Sequence, residues 1–215
     1  MKTELVLWDW NGTLLDDLEL CVDALNRLLA IHGYAERYDR AAYLEIFGFP
    51  VQEYYLRAGF DFEKHPFDLL AKRYMDHYVP ASRVCPVSAG GRETLDAIRA
   101  MGLRQVVLSA SRIETLTQQV EQRGLRGCFD ELLGLGDIYA KSKVELGKNW
   151  RAGQGLDPAC AVMVGDTVHD AEVAAAMGTR CVLYAGGHQA RHILEATGLP
   201  VIDRLEELPE LLRRM

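Results

Sequence analysis

From about Pro86 onward, short apolar runs alternate with amphipathic stripes, and this alternation restricts the fold more than any other property of the sequence. Gln105–Ser109 (QVVLS), Ala161–Val164 (AVMV), Arg180–Tyr184 (RCVLY) and Val201–Ile202 read as strands, with Glu131–Leu133 as a further short one. Between them, Gly90–Met101, Thr115–Arg123, Lys143–Ala152 and Asp170–Met177 carry helical spacing, and Gly102, Gly124 and Gly178 mark helix ends. Such alternation specifies a mostly parallel sheet with helices on both faces, because parallel neighbours must be joined by crossovers. Near the N-terminus, Glu4–Asp9 (ELVLWD) is another near-continuous apolar run, of the length expected for a strand buried on both faces.

From Asp17 to Arg83 the pattern is helical throughout. Asp16 or Asp17 can cap a first helix, in which Leu18, Val22, Leu25, Leu28 and Leu29 build one apolar stripe. Tyr43, Leu44 and Phe47, then Tyr54 and Tyr55, suggest two shorter helices split at Gly48-Phe49-Pro50, and Phe67, Leu70, Tyr74 and Tyr78 mark a fourth. An insertion after the first strand accounts for this block. The expectation is a doubly wound α/β core of residues 1–16 and 84–215, with residues 17–83 as an all-helical cap. A chain of 215 residues is long enough for one core and one small module.

A net charge of −7 argues against nucleic acid as a partner, since phosphate backbones need a basic face, but leaves room for a small phosphorylated ligand in a local positive pocket. Cys21, Cys85, Cys128, Cys160 and Cys181 are scattered and odd in number, which fits reduced thiols of a cytoplasmic protein better than a disulfide frame or a zinc site. A strand starts almost at once, without the pattern of a signal peptide, and no apolar stretch approaches the length of a membrane span. Nothing in the sequence specifies an oligomeric state.

In open parallel sheets, ligands bind beyond the carboxyl ends of the strands. Asp9 closes the first strand, Ser109 the second and Asp166 the run AVMVGD, with Asp170 in the helical turn after it. Three carboxylates at one sheet edge repel one another unless a cation joins them. Oxygen-only ligands that leave room for water and phosphate favour Mg²⁺. Each residue also has a plain reading: Asp166 as a helix cap, Asp170 as a first-turn anion, Ser109 as a polar strand end and the lysines as solvated. Asp9 resists such a reading, because it ends a buried strand with no basic neighbour in sequence.

The combination is more specific than its parts. Asp9-Trp10-Asn11-Gly12-Thr13-Leu14 resembles the first motif of the haloacid-dehalogenase-like hydrolases, usually D-x-D-G-T-L. Val106–Ser109 resembles their second motif, Lys143 before a helix the third, and Gly165-Asp166-Thr167-Val168-His169-Asp170 the fourth, G-D-x-x-x-D. The motifs follow the family order, and the helical insert stands at the cap position of the phosphoglycolate-phosphatase-like branch. Lys141 competes with Lys143, but the helical pattern Val144, Leu146, Trp150 starts just after the latter.

The resemblance implies a Rossmann-like core and a phosphatase that forms an aspartyl-phosphate on Asp9. It also implies Mg²⁺ held by Asp9, the Asn11 carbonyl and Asp166, with Asp170 holding a metal-bound water or orienting Asp166. Ser109, Lys143 and backbone N–H groups around Gly12, Thr13 and Ala110 would bind phosphate. Asn11 departs from the family: a second Asp usually stands there as general acid and base, and an amide cannot carry that proton. Acid–base assistance contributes about 10²–10⁴-fold, so fast hydrolysis of alkyl phosphates comes into question. His169 is a candidate for touching the cap or substrate. His188 and His192 follow Gly186-Gly187 after the run Arg180–Tyr184 and could reach the mouth of the site, but read more simply as polar residues at a helix N-terminus on a surface loop. Two rival readings remain, a cofactor-free haloacid dehalogenase and a non-catalytic phosphate-binding or regulatory module.

Overall fold

The structure is a computed structural model that describes residues 2–136 and 143–215. Six strands form one sheet: β1 (Leu5–Trp8), β2 (Arg104–Arg112), β3 (Glu131–Leu135), β4 (Ala161–Gly165), β5 (Arg180–Tyr184) and β6 (Val201–Ile202). All pair in parallel, in the order β3-β2-β1-β4-β5-β6. The chain therefore starts mid-sheet, runs to one edge through β2 and β3, and crosses β1 to build the other half. Between β1 and β4 the order reverses, and at such a switch point the connections leave on opposite faces and open a crevice. Trp8 pairs with Val164, so Asp9 and the Gly165-Asp166 pair leave adjacent strands side by side at that crevice.

Successive strand residues face opposite ways, which explains why β1 is apolar throughout. Val6 and Trp8 pack beneath α5 (Gly91–Ala100), α6 (Ile113–Gln122) and α10 (Leu208–Arg214), meeting Leu95, Ile98, Leu116, Val120 and Leu212. Leu5 and Leu7 face α7 (Lys143–Ala152), α8 (Val168–Met177) and α9 (Arg191–Glu195), where Val173, Met177 and Leu194 complete a second cluster. Helices thus cover both faces, and the fold is the Rossmann-like α/β class expected.

Between β1 and α5 the described chain holds α1 (Leu18–Ile31), α2 (Arg40–Ile46), α3 (Val51–Arg57) and α4 (Phe67–Ser82), and no strand. The α1 stripe is buried as its spacing requires. With Tyr43, Tyr54, Tyr55, Leu70 and Tyr78 it forms an apolar cluster separate from those on the sheet. The break between α2 and α3 falls at Gly48-Phe49-Pro50.

Among the differences from the sequence reading, three bear on the crevice. Strand β2 continues past Ser109 to Arg112, because an irregularity between Leu108 and Arg112 lets it regain its pairing with β3. Helix α8 begins at Val168, where Thr167 and Asp170 form a reciprocal capping box. Asp17 stands at the N-cap position of α1, yet its side chain does not cap that helix. It turns instead toward the crevice.

Candidate active site

At the C-terminal end of the sheet, three buried carboxylates converge. One oxygen from each of Asp9, Asp166 and Asp170 lies within 4.8 Å of the others. Lys143, at the first turn of α7, donates to Asp9 Oδ1 at 2.5 Å and to Asp170 Oδ1 at 2.6 Å. The other Asp170 oxygen accepts from the Thr167 N–H at 3.0 Å and its hydroxyl at 2.7 Å. Asp170 therefore caps its helix and holds the lysine at once, and the plain reading and the functional one describe two oxygens of one side chain. Thr13 Oγ1 lies 3.2 Å from Asp9 Oδ2 and 3.1 Å from Asp166 Oδ1, with one proton for two acceptors.

Close backbone approach makes this packing possible. Gly12 has φ 74°, and a Cβ there would stand 2.3 Å from Asp166 Oδ2. At Gly187 a Cβ would meet the same oxygen at 2.2 Å, where the next residue's N–H reaches it at 2.6 Å.

The charges do not balance. Burial pushes the Asp166 carboxyl up to about 8, against the pull of His188, with Asp9 and Asp170 adding to the rise. Burial likewise lifts Asp9 to about 6, although Lys143 opposes it. Burial raises Asp170 too, but the Lys143 charge and the bonds from Lys143 and Thr167 outweigh it and hold that carboxyl below its ordinary value. Burial disfavours the Lys143 charge, yet Asp170 and Asp9 more than compensate, so the ammonium stays protonated. A hard divalent cation fits this donor set. Three buried carboxylates face one ammonium, and oxygens of Asp9 and Asp166 share a single hydroxyl proton.

A second buried network stands beside the first. His188 Nε2 meets Asp17 Oδ1 at 3.0 Å, and its Nδ1 meets the Tyr43 hydroxyl at 3.1 Å. Burial opposes the imidazolium, but Asp17 outweighs it and His188 rises to about 9. Asp17 also accepts from the Gly12 N–H at 2.9 Å, Asn11 Nδ2 at 2.8 Å and the Tyr78 hydroxyl at 2.5 Å. Asn11 Nδ2 lies 2.6 Å from the Tyr78 oxygen, and Asn11 Oδ1 accepts from Ser111 at 2.7 Å. The amide thus ties the loop after β1 to α1, α4 and β2.

Among known proteins, the model of the haloacid dehalogenase-like hydrolase family matches residues 6–184. The chain belongs to that family. A phosphoglycolate phosphatase of Cereibacter sphaeroides (strain ATCC 17029 / ATH 2.4.9) is 28% identical over 98% of both chains. The pyrophosphatase PpaX of Bacillus velezensis is 26% identical over 81% of this chain and 80% of its own. The crystal structure of a predicted phosphatase from Clostridium acetobutylicum superposes with a TM-score of 0.85 over 100% of both chains, at 19% identity, a likeness of fold.

Asp9, Asn11, Ala110, Lys143, Asp166 and Asp170 all line one cavity of about 200 Å³. Thr13 stands behind the carboxylates. Ser109 is buried, and its Oγ accepts the Ser111 N–H at 3.0 Å, which leaves its own proton free to donate. The Gly12 N–H is already given to Asp17 and to the Leu15 carbonyl at 2.9 Å, so the phosphate donors expected around Gly12 do not include that group. Lys141 lies outside the described residues. His169 stacks on Phe49 at 4.6 Å and pairs with Glu172, touching the helical segment and no carboxylate of the cluster. His192 is exposed beside Glu45, but in the first turn of α9 and not on a loop. His188 is the departure: it is 3% exposed and reaches the site, against the favoured reading of a surface-loop residue, and it meets Asp17, which the sequence offers only as a helix cap. In the sequence the sign of the place is the adjacent Gly186-Gly187, and the structure shows the close approach of Gly187 to Asp166.

Proposed function

We propose that this protein is a magnesium-dependent phosphatase that hydrolyses a small phosphorylated metabolite through an aspartyl-phosphate on Asp9. In this reading residues 17–83 act as a cap over a core of residues 1–16 and 84–215. The observation that carries it is the Asp9 carboxylate at the switch point of the sheet, ringed by Asp166, Asp170 and Lys143 at the floor of the cavity. Asp9, Asp166 and the Asn11 carbonyl would hold the Mg²⁺, with Asp170 fixing Lys143 and the start of α8 behind them. The cation, when bound, neutralises the nucleophile and the phosphate, which otherwise repel.

The chain's own groups then have distinct tasks. One Asp9 oxygen attacks phosphorus, the bond to the leaving oxygen breaks, and water later releases phosphate from Asp9. Lys143, protonated across the neutral range, offsets charge on the nucleophile and on the phosphoryl oxygens. The Ser109 hydroxyl and the N–H groups at Ala110 and near Thr13 orient those oxygens. The helical segment excludes water from the cavity.

Clustered carboxylates give no advantage to halide displacement, and the relatives named above are phosphatases, so the dehalogenase reading loses support. The test is Asp9→Asn in a phosphate-release assay with Mg²⁺ and 4-nitrophenyl phosphate. Turnover is expected to vanish while the fold, read by circular dichroism, is unchanged. Substantial activity in the purified variant, or wild-type turnover that persists in excess chelator, would refute the mechanism. A wild-type chain that binds phosphate without turnover would mark a binding module.

A further inference from the structure

Resting on the phosphatase reading above, we infer that the substrate is a phosphate ester whose leaving group is aromatic and uncharged, not a small carboxylate such as glycolate. The cavity has two unlike walls. Its floor is the carboxylate cluster with Lys143. Its opposite wall comes from the helical segment, where Phe47, Phe49, Tyr55, Phe67, Tyr74 and Met75 line it. No lysine, arginine or histidine from residues 17–83 is among the lining residues.

Among the described residues, the cations that line the cavity belong to the core, and the buried ones are already paired. Lys143 is held by Asp9 and Asp170, His188 by Asp17, and the half-exposed Arg112 stands 3.5 Å from Glu114. A substrate carboxylate pushed against the helical wall would lose its water and gain no partner, which is strongly unfavourable. An aromatic ring there is favoured. The wall already arranges its rings edge to face, Tyr55 with Phe67 at 5.5 Å and 65°, and Phe47 with Phe49 at 5.9 Å and 80°. A further ring can join such a set. Size agrees as well: an apolar cavity of about 150 Å³ holds benzene, and this one is about 200 Å³ with a polar floor for the phosphate.

Asn11 points the same way independently. Its amide is fixed between Asp17, Tyr78 and Ser111 and supplies no acid to the leaving oxygen. An aryl oxide departs without one.

The experiment measures phosphate release from phenyl phosphate, benzyl phosphate and phosphoglycolate by the full chain at saturating Mg²⁺. Benzyl phosphate and phosphoglycolate both lose alkoxides, so the difference between them reports the cavity and not leaving-group acidity. We expect kcat/KM for benzyl phosphate to exceed that for phosphoglycolate by about 10-fold or more, mainly through KM, with phenyl phosphate the best of the three. Met75→Arg, which sets a cation in the helical wall, is expected to narrow or reverse the difference. Equal or better use of phosphoglycolate by the wild-type chain overturns the inference and leaves the phosphatase reading standing. Absence of release from all three esters refutes the phosphatase reading. In that event calorimetric binding to Asp9→Asn decides: tighter binding of benzyl phosphate upholds the aromatic pocket, and binding of phosphoglycolate at least as tight overturns it.

Discussion

Asn11 shows how one atom redirects a site. Where the family usually carries a carboxylate, Nδ2 here donates to Asp17 and the Tyr78 oxygen, so the position that would move a proton holds two helices in place instead. The variant Asn11→Asp sets a carboxyl against Asp17 Oδ2. Like charges that close cannot both ionise, so the introduced group would be held protonated, which suits a general acid. Turnover of alkyl phosphates should therefore rise more than that of aryl phosphates, below a ceiling of about 10²–10⁴-fold. Paired kinetics on benzyl and phenyl phosphate measure this, and an equal gain on both would show that proton supply is not the limitation. The substitution itself was readable in the sequence because it interrupts a motif. Asp9, Asp166 and Asp170 were readable because strand ends and fixed spacing locate them. Asp17 with His188 was not, because 171 residues separate them and only the folded chain brings them within 3.0 Å.

At the scale of elements, pattern was informative where apolar or aromatic residues marked a buried face. The α1 stripe, the buried β1 and the strand β5 were legible, since each repeats its period or fills its length with apolar residues. The C-terminal helices α9 and α10 were missed: five and seven residues hold too few turns to display a period, and unlike α2 and α3, also of seven residues, they carry no aromatic residue to mark a buried face. Helix α4 carries a contact that periodicity could not foretell. Tyr78 read as part of an apolar stripe, and its ring is indeed buried, but its hydroxyl lies between Asn11 and Asp17. Tyr78→Phe keeps the ring and removes that oxygen, leaving a part-buried amide and a buried carboxylate each short of a partner. The expected loss is about 1–3 kcal/mol, read as a Tm lowered by several degrees. An unchanged Tm would mean that the Asn11–Tyr78–Asp17 contact contributes nothing in solution.

For the whole molecule, the buried charges set how stability depends on pH and on the proposed cation. Burial raises Asp9 to about 6 and Asp166 to about 8 from an ordinary 3.8. A carboxyl raised on folding stabilises the fold while protonated in both states, and that contribution is lost as pH climbs from about 4 through the folded value. His188 acts in the same direction. Lifted from 6.5 to about 9, chiefly by Asp17 against burial, it contributes fully below about 6.5 and loses that contribution as pH rises through 9. Asp17 and Asp170 oppose them at the acid end. Burial lifts both, but His188 and Lys143 respectively hold them below the ordinary value, so their contribution is present above about 4 and falls away below it. With excess chelator, Tm should therefore peak in mild acid and decline steadily toward pH 9. A divalent cation binds the ionised carboxylates, which costs little where they are already charged and more where each must first release a proton. Added Mg²⁺ should raise Tm little near pH 5 and much more near pH 8, with stabilisation of about 2.7 kcal/mol at a concentration 100 times its Kd. Thermal melts from pH 5 to 9, with chelator and with saturating Mg²⁺, measure both curves. A Mg²⁺ shift of equal size at every pH would show that Asp9 and Asp166 are not the groups it binds, because their titration would make that shift grow.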